Sequence, residues 1–150
     1  MQDKKNFYIN GQWVSPIEPR SFKVINPATE EPCAEISLGG KKDVDAAVKS
    51  AKKAFETWSF TSKEERINLF EKLYEIYKKN WDQMAKTISI EMGAPIDFST
   101  ELQTKTGASH IKSFKNILKN FKFEKILDEE KNQTILYEPK GVCALITPWN

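Results

Sequence analysis

The segment Gly141-Val142-Cys143-Ala144-Leu145-Ile146-Thr147-Pro148-Trp149-Asn150 decides how the chain is read. Val142 to Ile146 is a continuous apolar run behind a glycine, the pattern of a strand buried on both faces of a parallel α/β sheet. Pro148 cannot donate to a sheet ladder and ends the strand. Trp149 and Asn150 then stand just beyond the strand's carboxyl end, where open α/β sheets bind ligands. On this reading Cys143 is a buried, inert thiol, because an apolar setting raises a thiol pKa.

Upstream, the pattern divides into a β-rich opening, a helical middle and a second β segment. Phe7 to Val14 alternates around Asn10-Gly11, a strong hairpin signal. Phe22 to Ile25 and Cys33 to Leu38 read as further strands, with Asn26-Pro27 turning the chain between them. Val44, Ala47, Val48, Ala51, Phe55 and Trp58 recur at helical spacing, with Asp43 as the expected N-cap. Ser62 and Glu65 form a capping-box pattern ahead of Ile67, Phe70, Leu73, Tyr74 and Tyr77. Asn80 is expected to cap a third helix that ends at Gly93, with Pro95 confirming the stop. A fourth helix is expected from about Asp97 to Asn120, with Ile111, Phe114, Leu118 and Phe121 on one face. Phe123 to Leu127 and Thr134 to Tyr137 flank a polar turn and read as a hairpin reaching outside the globule.

Four short stretches, in order, carry a resemblance. They are Tyr8-Ile9-Asn10-Gly11-Gln12-Trp13-Val14, Val24-Ile25-Asn26-Pro27-Ala28-Thr29-Glu30, the Glu91, Gly93, Pro95 helix end, and the strand running into Pro148-Trp149-Asn150. Together they resemble the N-terminal part of the aldehyde dehydrogenase superfamily. The resemblance implies an α/β fold in which N-terminal β-hairpins and helices lead into the first strand of a Rossmann-like cofactor domain. It divides the chain into residues 1–122, an oligomerisation hairpin at 123–140, and the start of the dinucleotide-binding core at 141–150. Family chains run far longer, so the chain is expected to be an N-terminal fragment.

The implied activity is oxidation of an aldehyde to a carboxylic acid with NAD or NADP, through a cysteine thiohemiacetal and thioester. In the family the nucleophilic cysteine and the general-base glutamate lie downstream of the Pro-Trp-Asn segment, so the 150-residue chain alone is expected to be inactive. The resemblance makes Asn150 the catalytic residue present, its amide donating to the oxyanion of the aldehyde adduct. It assigns Ile146, Thr147, Pro148 and Trp149 to cofactor contact. It also implies a small-molecule aldehyde substrate and a homo-oligomeric parent, a dimer or tetramer. No Gly-x-Gly-x-x-Gly follows any strand, so the usual dinucleotide fingerprint is missing.

Composition bounds the other readings. Hydrophobic residues make up 39% and charged residues 29%, and the aromatic 11% argues against disorder. A compact domain of this length buries about 68–70% of its unfolded surface. Net charge is +2, and of 23 basic residues only Arg20 and Arg66 are arginine, which disfavours a nucleic-acid or phosphate surface. Met1 to Lys5 is polar, with no secretory signal behind it and no run of membrane-spanning length. A cytoplasmic setting without membrane or nucleic-acid partners is the expectation. Cys33 and Cys143 give neither a disulfide framework nor metal spacing, and His110 lacks co-ligands, so no metal is expected.

Two other readings compete. A non-catalytic binding or assembly module would use the 123–137 hairpin for strand addition. Alternatively it would use the stripe Lys112, Lys115, Lys119 and Lys122 for an anionic partner, although a solvated helix face explains that stripe as well. A different cysteine enzyme would pair Cys143 with His110.

Overall fold

The computed structural model describes residues 4–147. The chain opens with two antiparallel ribbons. Strands β1 (Phe7–Ile9) and β2 (Gln12–Val14) pair with Phe7 opposite Val14. Their turn residues Asn10 and Gly11 hold φ of 54° and 75°, the left-handed pair that a two-residue hairpin needs to match strand twist. Strands β3 (Ser21–Asn26) and β4 (Glu31–Ser37) form the second ribbon, with an irregularity between Val24 and Ile25. The Asn26 side chain accepts from the Ala28 amide at 2.9 Å, which closes the Asn-Pro turn locally. Lys4 bridges to β4, its amide donating to the Glu35 carbonyl at 2.9 Å.

Helix α1 (Lys41–Trp58) begins one step differently from the sequence expectation. Gly40 is the N-cap and Asp43 sits at N3, reaching back to accept from the Gly40 amide at 2.8 Å. Its second oxygen accepts from the Ile17 amide at 2.9 Å, which pins the loop before β3 to the helix start. Both bonds favour the ionised carboxyl, Gly40 contributing most, and hold its pKa below the ordinary value. The motif misled because aspartate suits both N-cap and N3, and only the loop's return decides between them.

Helix α2 (Lys63–Lys79) carries the expected capping box: Ser62 Oγ accepts from the Glu65 amide at 3.1 Å, and Glu65 accepts from the Ser62 amide at 2.7 Å. Helix α3 (Trp81–Met92) follows directly. Asn80 is its N-cap residue but makes no side-chain bond forward. Its amide donates backward to the Ile76 carbonyl at 2.8 Å, so the side chain finishes α2 instead of starting α3. Gly93 ends α3 with φ of 75°. A Cβ there would stand 2.7 Å from Pro27 Cγ, so glycine is required by conformation and by contact with the β3–β4 turn.

The fourth helix is in three parts: α4 (Ile96–Phe98), a π turn (Ser99–Thr104) and α5 (Lys105–Asn120). Helices α2 and α5 pack side by side, with Phe70 stacked near Phe114 at 6.4 Å between ring centres. Strands β5 (Glu124–Asp128) and β6 (Gln133–Leu136) make the expected projecting hairpin, in which Ile126, Leu127 and Leu136 are exposed.

Two expectations are corrected here. Val142 to Ile146 forms no strand, and among the described residues the only sheets are the three two-stranded antiparallel ribbons. A strand buried on both faces needs sheet neighbours, and none of β1 to β6 pairs with this run. The chain also buries less than a compact domain. Its accessible area is 12220 Å², against about 25,000 Å² for the extended chain and about 7800 Å² for a compact monomer of this length. About half the unfolded surface is therefore buried. Helix stripes such as Val44, Val48 and Trp58 on α1, or Leu69 and Leu73 on α2, remain exposed.

Gly93→Ala should destabilise the fold by at least about 1–2 kcal/mol, the ordinary cost of left-handed φ for alanine before the Pro27 contact is counted. Urea denaturation checks this, and a variant as stable as the parent would refute the double constraint. Asp43 gives a pH signature. Its folded pKa lies below the unfolded value, so its contribution is present above about pH 4 and is lost as pH falls through the folded pKa. Asp43→Asn should remove that part of the acid limb of a melting-temperature profile, and an unchanged profile would exclude the role.

Candidate functional site

The candidate site belongs to the segment that follows the β5–β6 hairpin. The Tyr137 amide donates to the Phe123 carbonyl at 2.8 Å and extends the hairpin to its base. There Phe121 meets both Phe123 and Tyr137 edge-on, at 5.0 and 5.3 Å between ring centres. Glu138 and Pro139 leave this aromatic cluster and line a cavity of about 380 Å³ with Ser59, Thr61, Lys63 and Arg66.

The cations of that cavity have structural partners. Lys63 Nζ donates to the carbonyls of Lys119 and Phe121, at 3.2 and 3.4 Å, where α5 ends. Arg66 donates through Nε to Thr61 Oγ1 at 2.8 Å and through Nη2 to the carbonyls of Trp58 and Ser59, both at 3.4 Å, where α1 ends. Two helix C-termini thus converge on the first turn of α2, whose cations donate to their last carbonyls, although the Trp58 carbonyl also accepts from the Thr61 amide and hydroxyl at 3.1 and 2.7 Å. The cavity is a junction of helix ends, and an anion bound there would face both negative helix ends.

Beyond Pro139 the chain has no regular structure as far as Thr147. Gly141 has φ of 113°. Leu145 is 88% exposed and Ile146 94% exposed, and Thr147 is exposed too. Among the described residues, Ile146 and Thr147 are therefore brought to no other functional side chain and form no cradle for a cofactor. Pro148, Trp149 and Asn150 lie outside the described residues. Cys143 is exposed, which corrects its expected burial: the thiol's shield was the missing sheet.

The competing residues are separated as well. His110 is exposed on α5, far along the chain from Cys143 and not bonded to it. Glu91 is exposed one residue before the end of α3. Cys33 is half-buried in β4, its thiol donating to the Val24 carbonyl at 3.4 Å. Among the described residues no three of His, Cys, Asp or Glu gather as a metal site. No helix among them is long and apolar enough to cross a membrane. The lysine stripe is not a uniform free face, since Lys115 pairs with Glu71 of α2 at 3.3 Å.

Sequence reasoning missed Lys63 and Arg66. A signal existed, because they occupy the first turns of a helix, where cations oppose the dipole and so need another reason to be there. It also missed Tyr77 as a polar contact: the hydroxyl donates to the Thr104 carbonyl at 3.0 Å. Apolar periodicity alone had placed Tyr77 in the α2 stripe.

Comparison with known proteins completes the site's context. The model of the aldehyde dehydrogenase family matches residues 13–150. A 3-succinoylsemialdehyde-pyridine dehydrogenase from a Pseudomonas species is 44% identical over 100% of this chain, which spans 31% of that relative's length. The crystal structure of an aldehyde dehydrogenase from Bartonella henselae superposes with a TM-score of 0.83 at 53% identity, over 86% of this chain and 27% of that one. Aldehyde dehydrogenase C from Pseudomonas syringae, in complex with NAD+ and octanal, gives 0.80 at 36% identity, over 83% and 26% of the two chains. The α/β fold of the N-terminal region of such enzymes is thereby shown.

Exposure sets the expected order of thiol reactivity in this chain. Cys143 should alkylate with iodoacetamide well before Cys33, because both thiols donate to a carbonyl but only Cys33 is half-buried. Peptide mapping of partially labelled protein reads the order, and faster labelling at Cys33 would contradict the geometry.

Proposed function

This chain belongs to the aldehyde dehydrogenase family, and we propose that it is the N-terminal part of an oxidoreductase that converts an aldehyde to a carboxylic acid with NAD or NADP. The family match over residues 13–150 carries this reading. Relatives solved with NAD+, from Pseudomonas syringae and Bacillus cereus, support a nicotinamide dinucleotide as the cofactor. That cofactor supplies the hydride acceptor when bound, and Ile146, Thr147, Pro148 and Trp149 are proposed as its contacts. In the described conformation Ile146 and Thr147 form no such surface, so this assignment rests on their place in the family motif alone.

Asn150 is proposed to act on the substrate oxygen. Addition of a cysteine thiolate to an aldehyde turns the carbonyl oxygen into an oxyanion. A side-chain amide offers two N–H donors and no charge of its own to neutralise. Held at a strand end, away from water, it would meet negative charge that exists only along the reaction path. The nucleophilic cysteine and general-base glutamate are proposed to come from sequence beyond Asn150. Residues 1–122 and 141–150 are proposed to build one side of the cofactor domain.

The 123–140 hairpin is proposed to serve oligomer assembly. Ile126, Leu127 and Leu136 stand exposed on it, and an apolar ribbon with free edges is suited to adding strands from a second chain.

In the full-length enzyme, Asn150→Ala should lower kcat by about 10²–10³ while leaving the cofactor Kd nearly unchanged. Asn150→Asp should be at least as damaging, because it places negative charge where negative charge must develop. Steady-state kinetics with NAD+ and NADP+, alongside thermal melts of both variants, tests the assignment. A near-parental kcat with weakened cofactor binding would make Asn150 a cofactor-positioning residue instead.

A further inference from the structure

The helix from Ile96 to Asn120 contains a feature that neither the proposed chemistry nor the helix-junction packing uses. Ser99–Thr104 is a π turn, so the helix carries one residue more than an α-helix of the same length would hold. Its surroundings are unusual too. The Ser99 and Thr104 hydroxyls are fully buried and have no hydrogen-bond partner. Leaving such groups unpaired opposes this conformation, which packing against α3 and the contacts at its two ends must offset.

The two ends of the segment are fixed. Upstream, at the cap of α3 and three residues before this helix begins, Gly93 lies against Pro27 so closely that no Cβ fits between them. At the downstream end the Tyr77 hydroxyl donates to the Thr104 carbonyl at 3.0 Å. The same hydroxyl would stand 2.4 Å from a Cβ on Gly107, so glycine is what lets the ring approach the helix. Trp81 holds the Tyr77 ring edge-on at 6.2 Å.

We propose that Ser99–Thr104 is a one-residue register store in this helix, kept in place between two anchors, Pro27 on Gly93 and Tyr77 on Thr104 and Gly107. With both anchors set, the spacing between them takes up the extra residue as a wide turn. Releasing the Tyr77 anchor frees that residue to pass along the helix. The side chains it passes, from Lys105 onward, would then turn by about 100° relative to the rest of the helix, the rotation of one helical residue. The device is a conformational switch in which a local contact on α2 sets which side chains the first part of α5 presents.

Two arms test it in the intact protein. Deleting Glu101, an exposed residue inside the π turn, removes the stored residue and leaves both anchors alone. The expected melting temperature lies within about 3 °C of the parent, with continuous i→i+4 bonding in the crystal structure. Deleting Lys112 from the regular helix α5 should lower it severely, since every later side chain rotates off its packing face. Equal damage from the two deletions overturns the proposal. In the second arm, Tyr77→Leu should displace the π turn from Ser99–Thr104. Gly107→Ala, which forces the ring away without altering Tyr77, should do the same. A π turn that stays at Ser99–Thr104 in either folded variant shows that Tyr77 does not hold it. Global unfolding in both counts equally against it, because a register anchor acts locally.

Discussion

The first turn of α2 is the contact on which the helical part depends. Helix α1 ends at Trp58 and α5 ends at Asn120, and each leaves backbone carbonyls without intrahelical donors. Lys63 and Arg66 donate to them across the junction, with Thr61 also serving the Trp58 carbonyl. A cation in the first turn of a helix is electrostatically misplaced with respect to its own dipole. Here that local cost is offset by the negative carbonyl ends of two other helices. The capping glutamate Glu65 lies between them in sequence and supplies the negative charge that α2 itself prefers. The arrangement ties together segments about 60 residues apart, so the Phe121–Phe123–Tyr137 cluster and the hairpin rooted in it inherit their position from this turn.

What the sequence made legible was local. The Asn10-Gly11 hairpin, the Ser62–Glu65 box and the Gly93 stop each need only residues within one turn of one another, so their chemistry is fully written in a short stretch. Where a motif had two local solutions, the reading slipped. Asp43 could cap or sit at N3, and the Ile17 loop decided. Asn80 could serve the helix before or after it, and it bonds backward to Ile76. The π turn was illegible for a different reason. Apolar periodicity does not count one extra residue inside a long helix, and the turn's neighbours, α3 and the Tyr77 hydroxyl of α2, lie elsewhere in the sequence.

The Val142 to Ile146 run shows where pattern reading depends on partners. Composition can say that a segment suits a doubly buried strand, but it cannot supply neighbours, and backbone groups pair only with a strand that is present. Burial fails in the same way. The apolar stripes on α1, α2 and the β5–β6 hairpin were read correctly as stripes, yet they are covered on too few sides to make a compact core. The fully buried residues are small or polar, chiefly Ala85, Ala108, Ser99 and Thr104. They lie where helices touch closely, which large side chains prevent.

This separation bears on the proposed chemistry. An amide can stabilise a developing charge only if its orientation is fixed before the charge appears, because reorienting it during the reaction returns the cost that preorganisation removes. Fixation of Asn150 would have to come from the strand that precedes it. That strand needs a sheet, and Leu145 and Ile146 show by their exposure that none of the three ribbons provides one. The helices and hairpins therefore do a different task from the site. Through the contacts at Lys63, Arg66 and Gly93 they hold one another without a bond to the 141–147 segment. The proposed oxyanion donor, by contrast, becomes competent only when further strands lock the segment that carries it. On this view the family motif at the chain's end and the contacts that hold the frame are under separate physical constraints: the first is governed by the reacting charge, the second by free carbonyls at helix ends.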